Sequence, residues 1–173
     1  YLKMQELGSR ANITRLQSLL DGIDIELTKC TNNVQLNIEQ HLSSMYKRSY
    51  KQALEDIGAS NKVINSRAVK EALEYPWSGK NFSKALWGNK AKTFETMQNE
   101  ITKGIKVAKN IKDLSALTFN TDKSVYEMEK IFRYNAERLV RTETTYFMTK
   151  GHIEGYKESG VVEALQIDEY IDG

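Results

Sequence analysis

Apolar residues recur at helical spacing along most of the chain. Within about the first 57 residues they follow three- and four-residue steps from Leu16 to Tyr50, which places them on one side of a helix. The chain contains a single proline, Pro76, and proline is the strongest interrupter of helices. The pattern therefore predicts one long helix in this block, or two helices that break near residues 30–33.

The middle of the chain predicts shorter helices separated by turns. A short helix over residues 66–74 should stop before Pro76, and residues 77–80 read as a turn. Asn81 is a good N-cap for a helix that continues to about residue 105. A further helical piece should reach Leu117, with a break over residues 118–122.

The last block has two seams with a seven-residue repeat, which predict a helix of about 35 residues, capped by Asp122 and buried against other helices. The seams are Val125, Phe132, Leu139, Tyr146 and Ile153, and beside them Met128, Asn135, Thr142, Thr149 and Tyr156. Gly160 is a good end for this helix, and the alternating residues 161–168 predict a short strand.

These elements predict a mainly α fold, an elongated helical bundle with long helices and a small C-terminal β element. Residues 1–60 would form N-terminal long helices, as an arm or coiled coil, and residues 61–173 a helical core domain ending in a β-strand. No run approaches the ~18 consecutive apolar residues of a membrane span, which argues against an integral membrane protein.

The charge distribution is more informative than the net charge of +2. Residues 80–113 contain eight lysines and three acidic residues, whereas residues 154–173 contain six acidic residues and one lysine. A solvated face explains both segments. The basic segment also suggests non-specific contacts with DNA phosphates, through Lys84, Lys90, Lys92, Lys103, Lys106 and Lys109.

A polar segment, RLVRTETT, interrupts the apolar pattern of the last helix at residues 138–145. Glu143 lies near the packed side with no cation three or four residues away, so it needs a partner from elsewhere in the fold. Three interpretations fit the polar residues of this segment, Arg138, Arg141, Thr142 and Glu143. They form a structural polar lock, meaning an ion pair and hydrogen-bond network that fixes the helix register, or a partner-binding surface, or a catalytic carboxylate site. A buried ion pair predicts that Glu143→Gln costs on the order of 3 kcal/mol.

The remaining chemistry does not favour an enzyme. No nucleophile–base pair, metal-ligand set or Gly-rich phosphate loop accompanies Glu143. One cysteine and two widely spaced histidines do not form a zinc pattern, so neither a metal nor a cofactor is expected. Trp77 and Trp87 are expected to anchor turns onto the core, or to offer a stacking platform for nucleic acid beside the lysines.

Several of these segments together resemble the minor head protein family of tailed phages, the head-morphogenesis family typified by the F protein of phage Mu. The resemblance covers roughly residues 70–173. It is carried by PWSGKNFSKALWGN at residues 76–89, ITKGI at 101–105, NAERLVRTET at 135–144 and GYKESGV at 155–161.

The resemblance implies a structural protein of the phage head interior, present in few copies and in the host cytoplasm during assembly. Its implied partners are the portal protein and a capsid or scaffolding protein, with a role in head morphogenesis, DNA packaging or DNA delivery. The family's motif residues correspond to Trp77, Trp87, Arg138, Arg141, Thr142 and Glu143, without a catalytic role. Members often continue into a segment with cysteines and histidines that can bind metal, so a C-terminal truncation is expected here.

Two alternatives remain open. The chain is also consistent with a generic helical interaction module that self-associates through residues 10–57. A further alternative is a non-catalytic fragment of a protein whose enzymatic or metal-binding domain follows residue 173.

Overall fold

Helices account for the regular secondary structure of the part of the chain that is described. The structure, a computed structural model, describes the backbone of residues 2–59, 62–107 and 111–164. Side chains are described at residues 14–59, 62–103, 126–127 and 129–164.

The predicted helical class is confirmed. Four helices cover most of the described residues: α1 (Leu2–Asp56), α2 (Ser66–Glu74), α3 (Phe82–Val107) and α4 (Ile111–Ser159). Residues 161–164, at the start of the predicted strand, have no regular secondary structure. The rest of that strand lies outside the described residues.

Of the two alternatives for the first block, the single long helix is confirmed, whereas the break predicted over residues 118–122 is wrong. α1 continues through residues 30–33 and α4 through residues 118–122, so Asp122 lies inside a helix and does not cap one. Both segments contain Thr, Asn or Asp but neither Gly nor Pro. Such residues cost only a few tenths of a kcal/mol each in a helix interior, and that cost is readily overridden by packing.

The helix ends follow local chemistry. α2 begins after Asn65, whose side chain accepts a hydrogen bond from the backbone N–H of Arg67 at 2.9 Å. It ends at Tyr75, which is extended, as expected for a residue that precedes proline. Gly58 and Gly160 follow the ends of α1 and α4 with φ of 68° and 71°, a left-handed conformation that glycine adopts without steric cost.

The chain divides into two compact units. The first combines Tyr1–Leu36 with Ser83–Leu139, and the second combines Asn37–Phe82 with Val140–Gly173. Each unit thus joins segments that are distant in sequence. These contact-defined units do not follow the division at residue 60 that the sequence suggested.

The second unit has a continuous core. Its α1 side is the predicted stripe, on which every fourth residue from Ile38 to Tyr50 is buried. Val69 and Ala72 of α2 and Phe147 of α4 are buried in the same unit. This part of the predicted α1 stripe is therefore confirmed as the packed side of the helix.

The backbones of α1 and α4 approach closely in the second unit because α4 carries two glycines. A Cβ atom on Gly151 would overlap the carbonyl oxygen of Tyr46. A Cβ atom on Gly155 would lie 2.8 Å from both the Tyr50 carbonyl oxygen and the Ala53 Cβ. The absence of a side chain at these two positions is what allows the two helices to pack at this distance.

The buried row of α4 differs from the predicted seams. The described row consists of Glu143, Phe147, Gly151 and Gly155, at four-residue steps. Thr142 and Thr149 of the companion seam are exposed, and Tyr146 and Ile153 of the main seam are only half-buried. The seam prediction counted apolar side chains, whereas the closest packing is made by glycines, which carry none.

The first unit is held by apolar and polar contacts. Leu86, Met97 and Ile101 of α3 are buried. Thr31 of α1 is fully buried and donates its hydroxyl hydrogen bond to the Leu27 carbonyl at 2.7 Å.

Within the described residues, none of the helices combines the length and apolar character needed to cross a membrane.

Candidate partner-binding site

A tight turn after α2 positions Trp77. The backbone N–H of Gly79 donates to the Pro76 carbonyl at 3.0 Å, and the N–H of Trp77 donates to the Tyr75 carbonyl at 3.1 Å. Gly79 has a φ of 88°, which disfavours any residue with a side chain. The predicted turn at residues 77–80 is thus confirmed, and it holds the Trp77 ring against α4.

Trp77 meets α4 through both its ring and its N–H group. The indole stacks on Tyr146, with ring centroids 4.7 Å apart and planes 7° from parallel. Its Nε1 donates a hydrogen bond to Oε2 of Glu143 at 2.9 Å. Tyr146 in turn packs edge-on to the buried ring of Phe147, with centroids 5.5 Å apart. Residues 66 positions apart in the sequence are therefore joined in one site.

Glu143 is a buried carboxylate at the base of this site, with only 3% of its surface exposed. Burial raises its pKa, because desolvation disfavours the charged form, and the hydrogen bond from Trp77 opposes this effect only in part. The sequence predicted that Glu143 needs a partner from elsewhere in the fold. That partner is a neutral indole N–H.

The ion-pair form of the polar lock is therefore revised. Among the described side chains, no cation lies within ion-pair distance of Glu143. A neutral donor leaves the carboxylate charge uncompensated, which agrees with the upward direction of its pKa.

The outer side of the site is a shallow surface depression of about 490 Å³. It is lined by Trp77, Arg141, Thr142, Thr145, Tyr146 and Thr149. Arg141 and the three threonines are exposed, and Trp77 is 36% exposed. Trp77 is thus a partly exposed anchor of its turn and not a core residue, because one part of the ring covers Tyr146 while the rest faces solvent.

The other predicted site residues lie in the first unit. Arg138 is exposed. Trp87 is half-buried and donates from Nε1 to Oε1 of Gln35 at 2.6 Å, and Ser83 donates to the same oxygen at 3.1 Å. Trp87 therefore anchors α3 to α1 and does not belong to the Trp77 site.

The predicted phosphate-contacting lysines differ in their availability. Lys92 is exposed, and Lys103 forms a surface ion pair with Glu100 at 3.0 Å. Lys84 is also exposed. The side chains of Lys106 and Lys109 lie outside the described residues.

The structure does not support the prediction that Lys90 contacts DNA phosphates. Its side chain is only 12% exposed, and its ammonium group forms an ion pair with Asp24 of α1. It also lies 5.5 Å from the centroid of the Phe94 ring. Lys90 is thus committed to a contact within the first unit, because it lies on the side of α3 that faces α1.

Sequence reasoning missed a polar cluster between α1 and α4 in the second unit. The Tyr50 hydroxyl donates a hydrogen bond to Oε2 of Glu158. Burial, followed by this hydrogen bond, raises the pKa of Tyr50. Burial and the nearby charges of Glu154 and Glu158 raise the pKa of Tyr46 to about 12. Both tyrosines were predicted as packed positions, but their carboxylate neighbours lie some hundred residues away and leave no local signal.

No group of three or more His, Cys, Asp or Glu side chains that could hold a metal ion occurs among the described residues. Comparison with models of known protein families finds no match to this chain, and comparisons with curated proteins and with solved structures find none either.

Proposed function

We propose that this protein is a minor head structural protein of a tailed phage or prophage that acts by binding the portal. In this proposal it is not an enzyme and needs no cofactor. It contributes to head morphogenesis, DNA packaging or DNA delivery, and it resides in the head interior after assembly in the host cytoplasm. The short C-terminal strand predicted from the sequence is part of the same proposal.

The observation that carries the proposal is the convergence of the residues behind the resemblance. Trp77 comes from the PWSG segment, and Arg141, Thr142 and Glu143 come from the RTET segment. Trp77 is hydrogen-bonded to Glu143 and shares one surface depression with Arg141 and Thr142. Two motifs that are separate in sequence thus support each other in space, as expected if they serve one function.

The composition of the depression supports binding over catalysis. Tryptophan, tyrosine and arginine are the residue types most enriched among the energetically dominant residues of protein interfaces, and all three line this depression. Threonine hydroxyls add short hydrogen-bonding groups around it. Glu143 is buried beneath the tryptophan, where it positions the ring.

The test is association with the portal protein encoded beside this chain. Purified protein and portal protein would be mixed at micromolar concentrations and analysed by size exclusion with light scattering. We expect a complex of defined mass, which weakens with Arg141→Ala and persists with the exposed control Arg67→Ala. No complex, or a complex that neither variant alters, would contradict the portal role assigned to this depression.

Self-association would favour the alternative of a generic helical module. Exposed apolar residues of α1 give that alternative a specific basis, since Leu19, Ile25 and Leu36 are each more than half exposed. Light scattering of the protein alone distinguishes the two, because the module predicts a stable oligomer without portal protein.

A further inference from the structure

A second cavity of the second unit lies among α1, α2 and α4. It has a volume of about 240 Å³. Three tyrosines line it, one from each segment: Tyr46 of α1, Tyr75 after α2 and Tyr146 of α4. Tyr46 is buried, Tyr146 is half-buried and Tyr75 is exposed, so the three tyrosines of this cavity range from core to surface positions.

The charged residues that line this cavity include a carboxylate without an ion-pair partner among the described side chains, that of Glu154. Glu71 and Glu154 line it together with one cation, Lys150. Glu71 already pairs with Arg67 at 2.7 Å. Glu154 makes neither an ion pair nor a hydrogen bond with another described side chain. Lys150, four residues before it on α4, is not within ion-pair distance.

The charge of Glu154 acts on Tyr46, which lines the same cavity. After burial, the charge of Glu154 is the next cause that raises the pKa of Tyr46. This Coulombic effect of a nearby carboxylate also favours the entry of a positive group, whereas burial disfavours a charge of either sign.

We propose that this tyrosine-lined pocket binds a cationic side chain, the guanidinium or ammonium group of an Arg or Lys, from a protein partner. Aromatic faces attract cations through the negative potential above the ring. Glu154 supplies a charge-assisted hydrogen-bond acceptor. An anion is disfavoured by Glu154, which makes no ion pair with a described side chain, and a purely apolar ligand would leave the charged groups desolvated without partners.

Small side chains leave the room for this ligand. Ala68 and Ala72 of α2 also border the cavity. Ala72 belongs to the core, whereas Ala68 is half-buried and can be enlarged with less effect on folding. Ala68→Met should therefore fill the cavity and block binding without removing a charge.

The test is an NMR titration of the whole chain with three capped tripeptides that carry Arg, Lys or Gln between glycines. We expect saturable shifts of the Tyr46 and Tyr146 ring resonances with the Arg and Lys peptides, at dissociation constants on the order of millimolar. The Gln peptide should produce none. Glu154→Gln should weaken binding about tenfold, and Lys150→Gln should strengthen it.

Glu163→Gln is the matched control, because Glu163 is exposed and does not line the cavity. It should bind as wild type does. Equal shifts with the Gln peptide would overturn the proposal, as would an affinity that Glu154→Gln and Lys150→Gln both leave unchanged. If Glu154→Gln does not fold, the opposite effect expected of Lys150→Gln and the block expected of Ala68→Met still decide the question.

This inference does not depend on the portal proposal. Peptide binding without a portal complex would support the pocket and contradict the portal role. A portal complex without peptide binding would do the reverse.

Discussion

Glu143 is buried against a neutral hydrogen-bond donor, and this determines what its replacement should do. An ion pair would make the carboxylate charge essential, and its loss would cost several kcal/mol. With the Trp77 indole as donor, an amide oxygen can accept the same hydrogen bond without carrying a buried charge. The charge of Glu143 should therefore matter less than its oxygen atoms.

Replacement of Glu143 by Gln and by Ala should give different results. We expect the free energy of unfolding of Glu143→Gln to stay within about 1 kcal/mol of wild type, because the acceptor is kept. Glu143→Ala should lose about 1–3 kcal/mol, because the indole N–H loses its acceptor and a cavity remains. Urea denaturation at neutral pH measures both. A loss near 3 kcal/mol for Glu143→Gln would restore the ion-pair interpretation.

The raised pKa of Glu143 predicts a pH dependence with a definite sign. The folded protein holds the Glu143 proton more tightly than the unfolded chain, so this group stabilises the fold fully below its usual pKa of 4.5. That stabilisation is lost as pH rises through the higher, folded-state pKa. The difference in unfolding free energy, Glu143→Gln minus wild type, should therefore grow with pH across this window. A difference that shrinks would mean that the folded pKa is lowered.

The sequence predicted part of the residue-scale picture. It identified Glu143 as a carboxylate whose partner lies elsewhere in the fold, because the helical neighbours provide none. It did not identify Trp77 as that partner, since the pairing depends on how the turn after α2 meets α4. The hydrogen bond that the Tyr50 hydroxyl donates to Glu158 could not be predicted either, because it depends on how α1 packs against α4.

At the scale of elements, α2, α3 and the C-terminal end of α4 were well predicted. Their ends carry strong local signals: Asn65 before α2, Pro76 after it and Gly160 after α4. The break predicted inside α4, and the two-helix alternative for α1, rested only on weak propensities, which the packing of long helices overrides. Helix ends with chemical causes are thus more predictable than interruptions without them.

The packed row of α4 was not predicted because its closest contacts are made by glycines, which have no side chain. Two glycines four residues apart, Gly151 and Gly155, are the available sequence signal for a close helix approach. A pattern of apolar side chains does not include glycines. Their role is visible only when the α1 backbone is placed beside them.

Alanine substitutions of glycine provide a direct test at this scale. Gly151→Ala and Gly155→Ala should each destabilise the protein by about 1–3 kcal/mol, because the added methyl group overlaps α1. Gly88→Ala in α3 is the matched control, since its added Cβ has no atom within 4 Å apart from its chain neighbours and the nearby backbone of its own helix. It should stabilise the protein by about 0.5–1 kcal/mol through helix propensity. Thermal unfolding of the three variants measures the contrast, and an equal effect at all three positions would contradict the close approach.

For the whole molecule, the basic segment predicts a salt-dependent association with double-stranded DNA. Log affinity decreases with log salt concentration, and we expect the magnitude of this slope to decrease by about 0.9 for each phosphate contact removed. The double variant Lys92→Gln with Lys103→Gln tests this. Lys90→Gln should leave the slope unchanged, because this side chain is only 12% exposed and is paired with Asp24, whereas the Lys103–Glu100 pair is exposed on the surface. Fluorescence anisotropy with labelled DNA at several salt concentrations measures the slopes. If binding is not detected, or if all variants have equal slopes, the proposal that this protein contacts DNA is contradicted.

The convergence of the Trp77 turn with α4 is the claim on which the candidate site and its proposed function both depend. The chain has only two tryptophans, so its nitrogen–proton NMR spectrum should contain two indole signals, and Trp77→Phe identifies one of them. We predict that Glu143→Ala moves the Trp77 signal and leaves the Trp87 signal in place, and that the Trp77 ring shows nuclear Overhauser contacts to Tyr146. A Trp77 signal that ignores Glu143→Ala, without contacts to Tyr146, would contradict the site.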